Sequence, residues 1–414
     1  MATKTKNETI PLNTRVEMIR RFFADSKPAN HPITEHPVSK QEEYVRELYL
    51  EMLCVMAQYE NQNPENAFVL IKRILATCEK PQPLNEYIKR SMEITTERTA
   101  EFIRQCKSNH LCEIFMIDSM LLSCSQGTPN EKQVAFLTQF GEMLGFKKNN
   151  LLEISKFSVS ILEQNSNAYQ GCLSDSNITV QEAALCYAKQ FVSGKIFETS
   201  TRVVFYAVQR TDIPFLKEDI SIENKDHVEF ENLTFINTTV TLSSIKCVLF
   251  RNCTFRDYKN KSTINATIVD EFNITGCVFS DCTRKDEHRN CGMICLDRIG
   301  KVNLKSSIFT NCNLSESANT WKIGLIYIEG IDETGRLLNE TEMLIDRCEF
   351  RTVNVLNECS KSLSRVIVYA RQSISVTNCT FFDCQGNGLF WNVSEEENNK
   401  LTNCSPFKAS GSFW

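Results

Sequence analysis

Three groups of side chains in this sequence have the types and spacing to do chemistry. The first is a column of oxygen-bearing residues, Asn237, Asp257, Asp281, Asn311, Thr352 and Asp383, each two positions after a recurring phenylalanine. If successive phrases stack at one strand spacing, roughly 4.8 Å, Asp257 and Asp281 stand side by side. Carboxylates at that range can hold Ca²⁺ or share a proton for acid–base cleavage of a polysaccharide. The same residues suit a polar ladder that satisfies backbone groups where the chain bends, and the ladder is the reading preferred here. The second group is Cys277, Cys282, His288, Cys291 and Cys295. Its thiols and imidazole are zinc-type donors, with Cys282, His288, Cys291 and Cys295 as the candidate set, but they include no Cys-x-x-Cys pair. The third is Asp118, on one helix face with Leu111, Ile114, Phe115 and Leu122. An acid there needs a partner, so Asp118 either buttresses a neighbouring helix or serves with Glu131 as an acidic metal ligand. No catalytic residue, metal or cofactor is assigned; Asp257 and Asp281 are the alternative catalytic pair.

The elements that must position these residues follow from a repeat. FENLTF (230–235), FRNCTF (250–255), ITGCVF (274–279), LKSSIF (304–309), IDRCEF (345–350) and VTNCTF (376–381) are one phrase written six times. Seven residues before each closing Phe stand Val228, Val248, Phe272, Val302, Met343 and Ile374, all apolar. Alternating apolar residues with a break at Asn or Gly describe two short strands joined at a bend. A further apolar strand is expected in the longer repeats, at 293–296, 323–328 and 365–370. A recurring supersecondary phrase marks a solenoid in which each unit covers the next. Three short strands per turn resemble the pectate-lyase-like superfamily over about 220–392, which implies a right-handed parallel β-helix. A leucine-rich repeat would need a Leu-x-x-Leu-x-Leu backbone and a regular period, and neither is present.

The first two hundred residues are helical in pattern. Apolar residues recur at three- and four-residue spacing in 41–60, 64–79, 84–107, 110–124, 130–145 and 149–164, with a further helix over 179–193. Thr128-Pro129-Asn130-Glu131 starts a helix, Gly145 stops it, and Val134, Leu137, Phe140 and Leu144 share its apolar face. From Leu111 to Ile161 the order is a helix with Asp118, a turn ending in Gly127, an acidic helix start at Glu131 and a Leu144-Gly145 stop. That order resembles the TerB-like helical domain named after a tellurite-resistance protein. The resemblance implies an interaction module of bacterial stress and membrane-associated systems. Members usually carry an Asp before the turn glycine, where this chain has Gln126.

Bulk properties narrow the function. The 414 residues suffice for two or three domains, and the net charge of −5 offers no basic stripe for nucleic acid. No apolar run is long enough to span a bilayer, and the first fifteen residues are polar, which predicts a cytoplasmic protein. Nineteen cysteines are an odd number and sit mostly at core positions of the repeat, which predicts reduced, buried thiols. Asn-x-Ser/Thr triplets such as those at Asn232, Asn252 and Asn378 fall at the bends and read as turn chemistry. Phosphate-binding, nucleophile-elbow and His-Glu-x-x-His motifs are absent. The expected fold class is α+β and multidomain: a flexible segment 1–40, a TerB-like helical bundle 41–195, a connector 196–219, the β-helix 220–392 and a tail or cap 393–414. The expected function is a non-catalytic scaffold of a bacterial stress or defence system, its helices docking a protein partner and its strands presenting a rigid surface. A carbohydrate-active enzyme using Asp257 and Asp281 is the rival.

Overall fold

The computed structural model describes residues 32–125, 127–175, 178–208, 218–286, 290–316, 322–329, 342–356, 368–369, 374–384, 390–391 and 400–404. The segment 1–31, residues 209–217 of the connector, residues 287–289 (with His288) and 330–341, most of the tail 393–414, and the position of Gln126 lie outside the described residues. The chain divides into two compact units, Met1–Phe197 and Glu198–Trp414.

Nine helices are described in the first unit. They are α1 (Glu43–Gln58), α2 (Glu65–Leu75), α3 (Leu84–Met92), α4 (Thr96–Ser108), α5 (Cys112–Ser123), α6 (Glu131–Leu144), α7 (Lys148–Leu162), α8 (Ser166–Asp175) and α9 (Ile178–Ala188). The expected helix 84–107 is two helices, because Thr95 caps a new start by accepting a hydrogen bond from the Arg98 N–H. Helix α6 has the expected ends: Asn130 and Gln133 form a reciprocal capping box, and Gly145 closes the helix at φ 100°. Leu137, Phe140 and Leu144 are buried as expected, but Val134 is 50 % exposed. Gly141 lies on the buried side instead, where a Cβ would come within 2.6 Å of the Leu151 side chain on α7. An aromatic cluster fills the centre: Phe102 lies 4.6 Å from Phe115, which lies 5.3 Å from Tyr49 and 5.6 Å from Phe140.

In the second unit the first repeats set one long strand before one short one, and the later repeats divide into more pieces. Strand β1 (Gly194–Glu198) ends the first unit, and the strands after it are β2 (Arg202–Tyr206), β3 (Ile220–Glu231), β4 (Thr234–Ile236), β5 (Val240–Arg251), β6 (Thr254–Arg256), β7 (Ile264–Thr275), β8 (Val278–Ser280), β9 (Thr283–Asp286) and β10 (Asn290–Lys305). After them come β11 (Ile308–Glu316), β12 (Lys322–Glu329), β13 (Glu342–Asp346), β14 (Glu349–Leu356), β15 (Val368–Tyr369), β16 (Ile374–Thr377), β17 (Thr380–Phe382), β18 (Phe390–Trp391) and β19 (Lys400–Thr402). The pairing is parallel and in the register of the repeat. Val228, Val248, Phe272, Val302, Met343 and Ile374 are successive partners in a twelve-stranded sheet. Phe235, Phe255, Phe279, Phe309, Phe350 and Phe381 are partners in a seven-stranded one. Their rings stack face to face, with centroids 4.6–5.2 Å apart.

This corrects the expected fold class. A right-handed parallel β-helix with three short strands per turn is not what the described residues form; their ladders make two parallel sheets. The segment 293–296, expected as a separate strand, is part of β10, which runs on to Lys305. Its first half pairs with β12 and its second half with β13, within one sheet. A single left-handed residue bends each long strand without ending it: Asn224, Ser244, Ile268 and Arg298 have φ of 53–56°.

The corners between long and short strands use the same device. Asn232, Asn252, Gly276, Ser306, Arg347 and Asn378 all have positive φ. Asn and Gly tolerate that region best, and this accounts for the Asn-x-Thr triplets: a left-handed Asn, an inward residue, an outward Thr and then the stacked Phe. The inward residue is often Cys because its thiol reaches a corner carbonyl. Cys253 donates to Arg251 O (3.4 Å), Cys348 to Asp346 O (3.4 Å) and Cys379 to Thr377 O (3.2 Å). Ser307 takes the same place with its hydroxyl on Lys305 O. The seventeen cysteines whose side chains are described are all free thiols.

Candidate functional site

The outward face of the larger sheet carries a polar groove of about 610 Å³ over strands β7, β10, β13 and β16. Strand alternation builds it. Inward residues Phe272, Val302 and Met343 are buried, so their neighbours Glu271 and Asn273, Lys301 and Asn303, and Glu342 and Leu344 face out. Register sets Lys301 between Glu271 and Glu342, and Asn303 beside Asn273. The Asn303 amide donates to Asn273 Oδ1 (2.9 Å) and Glu271 Oε1 (3.4 Å), and the Asn273 amide donates to Val248 O (3.4 Å). These bonds fix the floor of the groove. Lys301, Lys305 and Glu342 make no ion pair among the described residues. At the rim, Asp346 accepts from Asn378 (3.0 Å) and Thr377 (2.8 Å), and those hydrogen bonds, aided by Arg347, hold its carboxyl below the usual carboxylate range.

The column predicted from the sequence lies elsewhere, at the turns after β4, β6, β8 and β17 and within β11 and β14. Asn237, Asp257, Asp281, Asn311, Thr352 and Asp383 all adopt φ of 51–59°. Backbone conformation therefore explains why this column holds Asn and Asp. Asp257 and Asp281 occupy adjacent repeats, and both are exposed and engaged. Asp257 Oδ2 accepts from Arg256 (3.1 Å) and Asp281 Oδ1 from Asn311 (3.1 Å). Asp281 thus reaches the next repeat, whereas the Asp257 bond goes only to its sequence neighbour.

The zinc-type residues are dispersed. Cys277 and Cys282 are fully buried, with their thiols on Thr275 O (3.6 Å) and Ser280 O (3.2 Å). Cys295 is half-buried beside Ser262 and the Arg284 guanidinium, a cationic neighbour that a zinc ion would repel. His288 and the Cys291 side chain lie outside the described residues. Among the described residues no three His, Cys, Asp or Glu side chains converge on a point.

Asp118 is wholly buried, and its partners were not foreseen. Tyr49 of α1 donates to Oδ2 at 2.7 Å, Tyr187 of α9 donates to Oδ1 at 2.5 Å, and His36 Nε2 lies 3.2 Å from Oδ2. The ring's other nitrogen, Nδ1, accepts the Val38 N–H at 3.3 Å. An acceptor at Nδ1 places the imidazole hydrogen on Nε2, so His36 donates to the carboxylate and offers it no metal-binding lone pair. Burial first, and then the Asp118 charge, pushes both tyrosines well above their ordinary pKa. Glu131, its suggested co-ligand, is exposed in the first turn of α6. The arrangement clasps α1, α5, α9 and the turn at His36 together. The sequence shows the need for a partner in Asp118 itself; on the partner side it shows only His36 set before Pro37, which starts a short 3₁₀ turn (Pro37–Lys40). A second buried carboxylate, Glu51, is held by Arg98 (2.9–3.1 Å) and Arg90 (3.1 Å).

No family description, curated protein or solved structure matches this chain. No helix among the described residues is long and apolar enough to cross a membrane.

Proposed function

We propose that this chain is a non-catalytic binding protein whose sheet unit presents the groove over β7, β10, β13 and β16 to a protein partner. The carrying observation is the register row Glu271–Lys301–Glu342 above the Asn273–Asn303 floor, with Lys301 and Glu342 of the row and Lys305 farther along β10 unpaired among the described residues. Backbone ladders and stacked rings hold those groups at fixed spacing, so a partner meets a surface that loses little entropy on association. A partner strip carrying both signs of charge matches it best. The resemblance of residues 111–161 to a TerB-like interaction module supports the same reading, with the helical unit docking a second protein in a stress or defence assembly.

The test is co-purification of the full chain from its source cell, compared with Lys301→Glu/Lys305→Glu and with a control reversal at the exposed Lys246. Stoichiometric protein retained by the wild type and the control, and lost from the groove variant, is the expected result. Retention by all three, or by none, removes the groove as the binding face.

A further inference from the structure

The inward residues at the sheet corners include a column of sulfur that the corner itself does not require, since Leu233 and Ser307 hold the same place in other repeats. Cys348, Cys379 and Cys404 follow one another in this column, each just past a left-handed corner residue, Arg347, Asn378 or Asn403. Parallel register runs up to them: Asp346 is the partner of Thr377, and Thr377 of Thr402. The three thiols occupy equivalent places. Each donates to the carbonyl of its own corner, Asp346 O at 3.4 Å, Thr377 O at 3.2 Å and Thr402 O at 3.5 Å. Each also reaches the preceding repeat, at 3.6 Å from Leu304 O, 3.7 Å from Ile345 O and 3.7 Å from Val376 O. Sulfurs seated on the same two atoms of successive repeats are separated by the strand spacing, roughly 4.8 Å. A cation held in line between two sulfurs needs them about 4.6 Å apart, twice a metal–thiolate bond of about 2.3 Å. We propose that Cys379 and Cys404 bind a soft monovalent cation of the copper(I) or silver class, held linearly between their sulfurs.

The donor set decides the class of ion. Soft thiolates select copper(I)-type ions over hard cations, and two sulfurs complete a linear site. Zinc needs four ligands, and among the described residues no three donors converge. On binding, each thiol gives its proton to solvent: one cation and two thiols become a bis-thiolate complex of single negative charge and two protons. The carbonyls that lose the thiol hydrogens are not stranded. Thr377 O keeps the Arg347 N–H at 3.0 Å, and Thr402 O keeps the Asn378 N–H at 2.9 Å. Corner N–H groups also favour a charged sulfur in this fold, as where the Cys253 N–H donates to Cys277 Sγ at 3.4 Å. Access selects the pair. Cys253–Cys277 and Cys282–Cys312 are closed off at 0 % exposure, whereas Cys404 is half-buried above the enclosed Cys379, so an ion enters at Cys404.

The experiment offers the reduced full chain, kept free of oxygen, copper(I) as its bathocuproine disulfonate complex and measures the copper withdrawn from that chelator. The wild type should withdraw copper. Cys404→Ser and Cys379→Ser should each lower the affinity by about 100-fold or more, beyond what loss of a merely supporting partner costs. Serine already stands at this corner as Ser307, so both variants should keep the fold, which their circular-dichroism spectra check. Cys124→Ser, which alters a half-buried thiol of the helical unit, should leave the affinity unchanged. X-ray absorption of the copper-loaded wild type gives a check free of variants, with two sulfur neighbours and no nitrogen or oxygen expected. No withdrawal by the wild type, equal withdrawal by Cys404→Ser, or a third ligand on the copper overturns the inference.

Discussion

The two units are stabilised by opposite strategies. The helical unit brings His36, Tyr49 and Tyr187 to Asp118 in a contact made once, between residues up to 82 positions apart. The sheet unit makes a few contacts many times: a Phe stack, a thiol on a corner carbonyl, a left-handed Asn. A unique contact concentrates stability in a few side chains, whereas a repeated one spreads it, so that each copy is supported by its neighbours.

The largest expected effect is at the unique contact. Asp118→Ala strands two phenols and an imidazole N–H in the core and should cost about 4 kcal/mol, read as a lower urea midpoint of the helical signal. The same site predicts a pH dependence. Because both tyrosines have raised folded pKa values, the unfolded chain ionises first as pH rises past the ordinary tyrosine value of 10.0. The stabilisation is therefore complete below pH 10 and declines above it, a decline that Tyr49→Phe with Tyr187→Phe should flatten in midpoints taken across that range.

In the repeated unit, Phe279→Ala removes a ring stacked on both sides and should cost about 3 kcal/mol by urea unfolding. Phe381→Ala, at the last described ring, should cost less. Equal costs at the two positions would break the claim that neighbours share the load. Smaller still, Asn252→Ala should cost about 1 kcal/mol by forcing an alanine into the left-handed region, while Asn252→Gly should cost almost nothing. Last, Lys301→Glu with Lys305→Glu should change stability by less than about 0.5 kcal/mol while abolishing partner retention. A large stability loss there would mean that the groove charges hold the fold instead of a partner.

The same contrast decides what the sequence revealed. Repetition was legible: the stacked phenylalanines, the buried partners seven residues earlier and the corner asparagines recur by type. The bend within the long strands was not, because Ser244, Ile268 and Arg298 share a backbone conformation and no chemical type. A break was therefore read at 293–296 where a strand continues, whereas the separate strand expected at 323–328 is β12. Helix ends at Asn130 and Gly145 were legible because capping is local. Val134 misled because helical spacing alone does not tell which edge of an apolar stripe a neighbour covers. Asp118 stood out as an acid on an apolar face, but nothing local names partners 69 and 82 residues away.

The stacked rings also separate what must be inherited from what can drift. From the register partners Val240, Ile264 and Ile294, the chain takes equally many steps to Phe255, Phe279 and Phe309. The path arriving from the preceding ring lengthens each time. Over these repeats added length enters at one seam, between a short strand and the next long one, and in the following repeat, where Ile326 partners Ile294, it also enters on the way to Phe350; the ring column is untouched by either. A lineage of such proteins could change what it recognises by lengthening or trimming that seam, and every descendant would keep the same axis.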